Sequence, residues 1–305
     1  LVFVPERSNG LRLFFTLKGS VLPRIAKSVA ASTLLAVAVT LSHGLLFSWK
    51  VTLTPVPFTL IGLALAIFLG FRNGTAYDRF WEARKLWGEL IHRSRTLVRQ
   101  LSWVDRLKAE EARAVAHRAI AFAHALRCQL RGLDPGPEGR KWLDDTEQRG
   151  LAATRGGPAY LLQRHADTFA LWVREGRLPP PLAAELDQSL AALGAVQAGC
   201  ERIASTPLPF AYTLLLHRTA SLYCLLLPFG LVDAIGVMTP VVVAIVSYTF
   251  FGLDALGDEI EQPFGTLTHH LPLDALCRGV EISLLEAIGE PGLPAPAEPV
   301  EGVLS

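Results

Sequence analysis

The sequence predicts an all-α integral membrane protein, and three observations carry that prediction. Long apolar stretches, with Arg218 as the one charge inside them, come in two pairs, one pair toward each end of the chain. The region between them is charged, with its apolar residues at helical spacing, and no segment alternates with the two-residue period of a strand. Composition agrees: of 305 residues half are hydrophobic and only 19% are charged, against about 25% in a typical soluble domain. Mean hydropathy is +0.33, which argues against a wholly soluble chain. The length allows one large unit or two ordinary ones at about 150 residues each.

Charge and cysteines narrow the function classes. With 29 basic and 28 acidic side chains the formal net charge is +1, so no global field gathers nucleic acid, and no nucleic-acid partner is expected. Cys128, Cys200, Cys224 and Cys277 are widely spaced and form no C-x-x-C pair. They read as reduced, structural residues.

Residues 1–27 read as a cytoplasmic N-terminal segment. The first span is Ser28 to Trp49, uncharged throughout and long enough at 1.5 Å per residue to cross a hydrocarbon core of about 30 Å. It is too long, and lacks a small-residue cleavage site, to be a removable signal peptide. The connector KVTLTPVP, Lys50 to Pro57, leads into a second apolar stretch, Pro57 to Phe71, which stops at Arg72. That span is expected to be short, or to end in a wet cavity. Two further stretches, Thr213 to Gly230 and Gly236 to Leu253, are joined by LVDAI as a hairpin. The resulting division is 28–72 for membrane helices 1 and 2, 73–206 for a cytoplasmic helical region, and 207–253 for helices 3 and 4. A cytoplasmic helical segment, 254–289, and a Pro-rich extended or disordered tail, 290–305, follow.

Basic residues set the orientation, because Lys and Arg beside spans stay in the cytoplasm. Arg7, Arg12, Lys18, Arg24 and Lys27 precede the first span, and a dense basic run from Arg72 to Arg113 follows the second. Lys50 is alone in the first connector, and Thr219 to Cys277 contains no Lys or Arg. Four spans with both termini in the cytoplasm satisfy this pattern. Within the central region GLDPGPEGRKWLDDTEQRG and RLPPPL read as breaks, the second as a turn between helices.

The second span carries the most informative pattern. Gly62, Ala66 and Gly70 recur every four residues, and beside them run Leu63, Ile67 and Phe71 at the same spacing. Small residues let membrane helices approach closely. With several copies around an axis, the bulky row would ring a narrow hydrophobic pore that gates by dewetting. Ordinary core packing within one subunit explains the same pattern and stands beside that reading. Below it, Phe71 to Ser94 mixes Arg72, Asp78, Arg79, Glu82, Arg84 and Lys85 with Tyr77, Phe80, Trp81 and Trp87. An interfacial aromatic belt would look like this, but the density of paired charges fits a helix running on into a packed cytoplasmic bundle.

Three strings, FRNGTAYDRFWEARKLWG, TPLPFAYTLLLHRT and FFGLDALGDEIEQPFG, resemble the bacterial branch of the bestrophin family of ion channels, in order and across about residues 8 to 288. The resemblance implies a homopentamer around one central pore, four membrane helices per subunit and a large helical cytoplasmic part. It implies a neck lined by three bulky residues of the second helix, onto which Leu63, Ile67 and Phe71 fall. It also implies a lower constriction at a helix start, here Pro181 or Leu182, where a plain turn is the competing reading. Eukaryotic members clasp Ca²⁺ with consecutive acidic residues. The counterpart here, Asp258, Glu259 and Glu261, is short and broken by Ile260, so no Ca²⁺ gating site is expected and pairing with cytoplasmic bases is.

His217 and Arg218 either line an inner vestibule or sit at the cytoplasmic end of their helix, Arg218 snorkelling or paired. His269 and His270 are adjacent and read as part of a turn rather than a metal pair. P-loop, G-x-G-x-x-G, H-E-x-x-H and G-x-S-x-G patterns are absent, and neither enzymatic activity nor a cofactor or metal is expected. The expected partners are further copies of the chain, membrane lipid and permeant small ions. Passive conduction of chloride or other small anions is the leading expectation. Selection would come from vestibule residues, helix ends or an outer mouth holding Asp233. Monovalent-cation selectivity on the same fold, and a membrane-anchored assembly protein without conduction, are the alternatives. An integral-membrane metalloenzyme using Asp258, Glu259 and Glu261 is a further rival.

Overall fold

The computed structural model describes residues 2–3, 16–42, 45–46, 49–50, 54–139, 141–154, 156–300 and 302–304. Ten α-helices and four two-residue strands occur among these residues. The described residues divide into two compact units, one of 16–80 and 207–262, the other of 2–3, 81–206 and 263–304.

The first unit starts with α1, Leu22–Leu41, which has Pro23 in its opening turn, where a missing N–H costs nothing. It begins earlier and ends earlier than the expected span. Ser42 caps its end, its hydroxyl donating to the Val39 carbonyl at 3.1 Å, and β2 (Leu45–Leu46) pairs antiparallel with β3 (Trp49–Lys50). With two residues in each strand, this pairing is too short to show a period, and the unit is otherwise helical. A second helix, α2 (Pro55–Gln100), is continuous over 46 residues, with both its prolines in the first turn. The apolar stretch ends at Arg72, and the helix runs on past it, as the charged aromatic segment suggested. Arg72 continues the helix because its charge is met inside the protein.

Two more helices complete this unit, α8 (Phe210–Ile235) and α9 (Thr239–Ile260), joined by a 3-10 turn at Gly236–Met238. The reversal lies beyond LVDAI, which is helical. Gly236 takes φ +51°, a conformation that glycine adopts without the penalty a Cβ brings. Leu65 and Leu69 of α2 pack with Ile25 of α1, Leu216, Ala220 and Cys224 of α8, and Phe250, Phe251 and Ala255 of α9. A second cluster joins Ala36, Phe58, Leu227 and Val243. Among the described residues three stretches are long and apolar enough to cross a membrane: Leu22–Leu41, Pro55–Trp103, and Phe210–Ile260, which contains both α8 and α9.

The second unit holds the later turns of α2 and six helices. They are α3 (Ala109–Leu130), α4 (Gly136–Gly139), α5 (Asp145–Ala153), α6 (Gly157–Arg174), α7 (Pro180–Ser205) and α10 (Leu273–Ala287). The break expected from Gly132 to Gly150 contains two short helices, the second capped by Asp144, whose Oδ1 accepts from the Thr146 and Glu147 N–H groups at 2.9 and 2.8 Å. The turn read in RLPPPL ends at Pro179. Pro180 and Pro181 occupy the first turn of α7, since proline's fixed φ suits a helix start. Trp87, Leu90, Leu97, Phe122, Leu161, Trp172 and Leu284 are fully buried in this unit's core. All four cysteines are free and buried. At the chain ends β1 (Val2–Phe3) pairs with β4 (Val303–Leu304), so the extended tail finishes in a strand pairing.

Candidate functional site

On α2 the buried positions Phe58, Leu65, Leu69, Arg72 and Ala76 fall three, four or seven residues apart, which places them on one helix face. Leu63, Ile67 and Phe71 lie off that face and are 60%, 48% and 65% exposed. The bulky row is therefore not core within its own subunit, which is the alternative the sequence left open. Leu60, Ile61 and Phe68 are exposed as well. The apolar surface of α2 is wider than a single row and needs lipid or protein to cover it.

Within one chain the small-residue row is divided. A Cβ at Gly62 would lie 2.7 Å from the Tyr223 hydroxyl of α8, whereas a Cβ at Gly70 would meet nothing within 4 Å. Gly62 serves close packing inside the subunit. Ala66 and Gly70 are exposed.

Immediately below, Arg72 is buried in a set of carboxylates. Its Nη1 donates to Asp254 Oδ1 at 2.8 Å and to the Asp254 carbonyl at 3.3 Å. Nη2 donates to Asp258 and lies 3.6 Å from Glu261 Oε2. Asp254 Oδ2 sits 2.7 Å from His217 Nδ1. Arg24 of α1 reaches Asp258 at 3.2 Å and Glu259 at 3.4 Å. Glu261 Oε1 accepts the Leu208 N–H at 3.0 Å. Alongside, Asn73 donates to the Leu253 carbonyl at 3.1 Å. A Cβ at Gly257 would come within 2.3 Å of Asn73 Oδ1, so glycine is what lets α9 approach α2.

The carboxylates expected to pair with cytoplasmic bases do pair with bases: Asp258 and Glu259 with Arg24 of the N-terminal segment, and Asp258 and Glu261 with Arg72 at the end of the apolar stretch. His217 is tied to Asp254, which fits the helix-end reading. Asp254 itself went unread in the sequence, although Asp254, Asp258 and Glu261 follow i, i+4, i+7 on α9 and thus share a face.

The candidate lower constriction belongs to the other unit. Pro181 is exposed and Leu182 half-buried, both in the first turn of α7. His269 and His270 lie in the turn before α10, where His270 Nδ1 accepts the Leu267 N–H at 3.2 Å. A metal-holding group of three or more His, Cys, Asp or Glu side chains is not present among the described residues.

A mostly helical protein with membrane-length apolar helices, an exposed apolar row on the long one and a buried arginine held by carboxylates beside it has the features of a membrane protein. The family model described as Bacterial/Fungal Bestrophin protein matches residues 2–286, and the chain belongs to that family. It is 46% identical over 300 residues, 97% of this chain and 96% of the other, to a voltage-dependent anion channel-forming protein of Mesorhizobium japonicum. A protein of the same description from Escherichia coli K12 is 40% identical over 294 residues, 96% of each chain. Among solved structures, a bacterial bestrophin homolog from Klebsiella pneumoniae is similar with a TM-score of 0.85 and 38% identity, covering 88% of this chain and all of that one.

Proposed function

We propose that this protein is a passive ion channel of the inner membrane that conducts chloride and other small anions through a pore made by five copies of the chain. The carrying observation is the exposure of Leu63, Ile67 and Phe71 on a face of α2 that its own subunit leaves uncovered. In a ring of copies this row forms a neck without fixed charge, where ions shed part of their hydration and the pore closes by dewetting. The relatives' description as anion channel-forming proteins supports anion over cation conduction. The absence of Lys and Arg from Thr219 to Cys277, against the basic flanks of α1 and α2, supports four crossings with both termini inside. Pro181 and Leu182 form the lower constriction in this reading.

Replacing Leu63, Ile67 and Phe71 together by alanine tests the neck. Wider and less hydrophobic, the pore is expected to pass severalfold more current in planar bilayers. Unchanged unitary current from a folded variant of wild-type oligomeric state would remove these residues from the permeation path.

A further inference from the structure

The unit of residues 81–206 and 263–304 contains a cavity of about 440 Å³ between the end of α2, the start of α3 and the end of α10. That volume falls within the range of small-molecule sites, about 300–1,000 Å³. Its lining includes three arginines, Arg95, Arg99 and Arg113. Among the described residues Arg95 and Arg99 have no carboxylate partner, and they stand four apart on one helix face, where like charges repel. The one acid in the lining, Glu290, is held by Arg113 Nε at 2.8 Å. All three arginines are exposed, so the lining carries three basic side chains against one carboxylate, and that carboxylate sits at the start of the Pro-rich tail. Apart from Ser102, the rest of the wall is apolar, with Val98, Leu107 and Ile288.

We propose that this cavity binds a small organic phosphate, with Arg95, Arg99 and Arg113 gripping the phosphate and the apolar wall taking the organic part. Guanidinium forks match phosphate oxygens in geometry and charge, and a dianion relieves the Arg95–Arg99 repulsion that a single carboxylate on Arg113 does not reach. Glu290 then acts as an internal competitor. It occupies Arg113 when the site is empty and leaves it when phosphate enters, which couples occupancy to release of the tail after Gly289. An exposed Arg–Glu pair is worth little, so this competition lowers affinity only about two- to fivefold.

The test is calorimetric titration of the purified full-length protein in detergent with inorganic phosphate, glycerol 3-phosphate and adenosine monophosphate, at low and high salt. Saturable, salt-sensitive binding is expected, tighter for the organic phosphates than for inorganic phosphate. Glu290→Gln should tighten it two- to fivefold, and Arg95→Ala with Arg99→Ala should weaken it at least tenfold while the melting temperature without ligand stays near that of wild type. If none of the three probes binds, or if the double alanine variant binds as the wild type does, the site is refuted. Equal affinity of Glu290→Gln and wild type would overturn the competitor role of the tail. The measurement reads binding alone, so its outcome is independent of whether the chain conducts ions.

Discussion

Arg72 is the residue on which the membrane unit depends most. Its side chain is fully buried and meets Asp254, Asp258 and Glu261, so Arg72→Met leaves carboxylates without a counter-charge. Breaking a buried pair from one side costs about 3–5 kcal/mol, and the variant is expected to lose its cooperative melt and its monodisperse elution in detergent. A wild-type melting profile would show that the cluster does not hold the helices together. In the other unit, two hydrogen bonds from the Arg177 guanidinium, at 2.6 and 2.8 Å, bring the Glu111 carboxyl down from 4.5 to about 2. A depressed carboxylate contributes stability that is complete above its unfolded value and disappears as pH falls through its folded value. Glu111→Gln should therefore flatten the melting temperature of the protein against pH between 4.5 and about 2, with the two proteins converging at the acid end. Burial pushes the Cys200 thiol up to about 12. Thiolate, not thiol, reacts with thiol reagents, so this cysteine should stay unlabelled at pH 8 until denaturant is added, as peptide mapping would show.

At the scale of elements, α2 shows what the sequence held and what it hid. The four-residue rows, the apolar character and the continuation into a charged, aromatic helix were legible, because spacing along a helix is a local property. The way Arg72 is held inside that helix was not. An arginine after an apolar run reads as a boundary unless its partner is known, and the partners lie some 180 residues downstream on α9. The reversal between α8 and α9 was missed for a related reason: LVDAI looks like a linker by length, while the positive φ that marks the turn falls on Gly236. The two glycine environments also separate by tertiary contact alone. A Cβ at Gly230 would lie 2.5 Å from Phe58 Cε2, but at Gly70 it meets nothing within 4 Å. Gly230→Ala is expected to destabilise by about 1–3 kcal/mol through overpacking. Gly70→Ala should be neutral or stabilising by up to about 1 kcal/mol from helix propensity. Thermal unfolding of both variants in the same detergent decides this, and the reverse order would contradict the packing described.

At the scale of the whole molecule, fold class and family were readable from composition, from the placement of apolar stretches and from three separated strings. The site was readable in part. Leu63, Ile67 and Phe71 were marked by spacing and prove to be exposed, whereas the Arg72 cluster needed the fold to bring α1, α2, α8 and α9 together. The proposed pore is made by copies of this chain and conducts anions. The most direct measurement is the reversal potential of the purified, reconstituted protein across a potassium chloride gradient in a planar bilayer. A defined reversal potential displaced toward the chloride equilibrium potential is expected. A displacement toward the potassium equilibrium potential would make the pore cation-selective. Silence from protein that elutes as one or two copies would replace the channel with a membrane anchor.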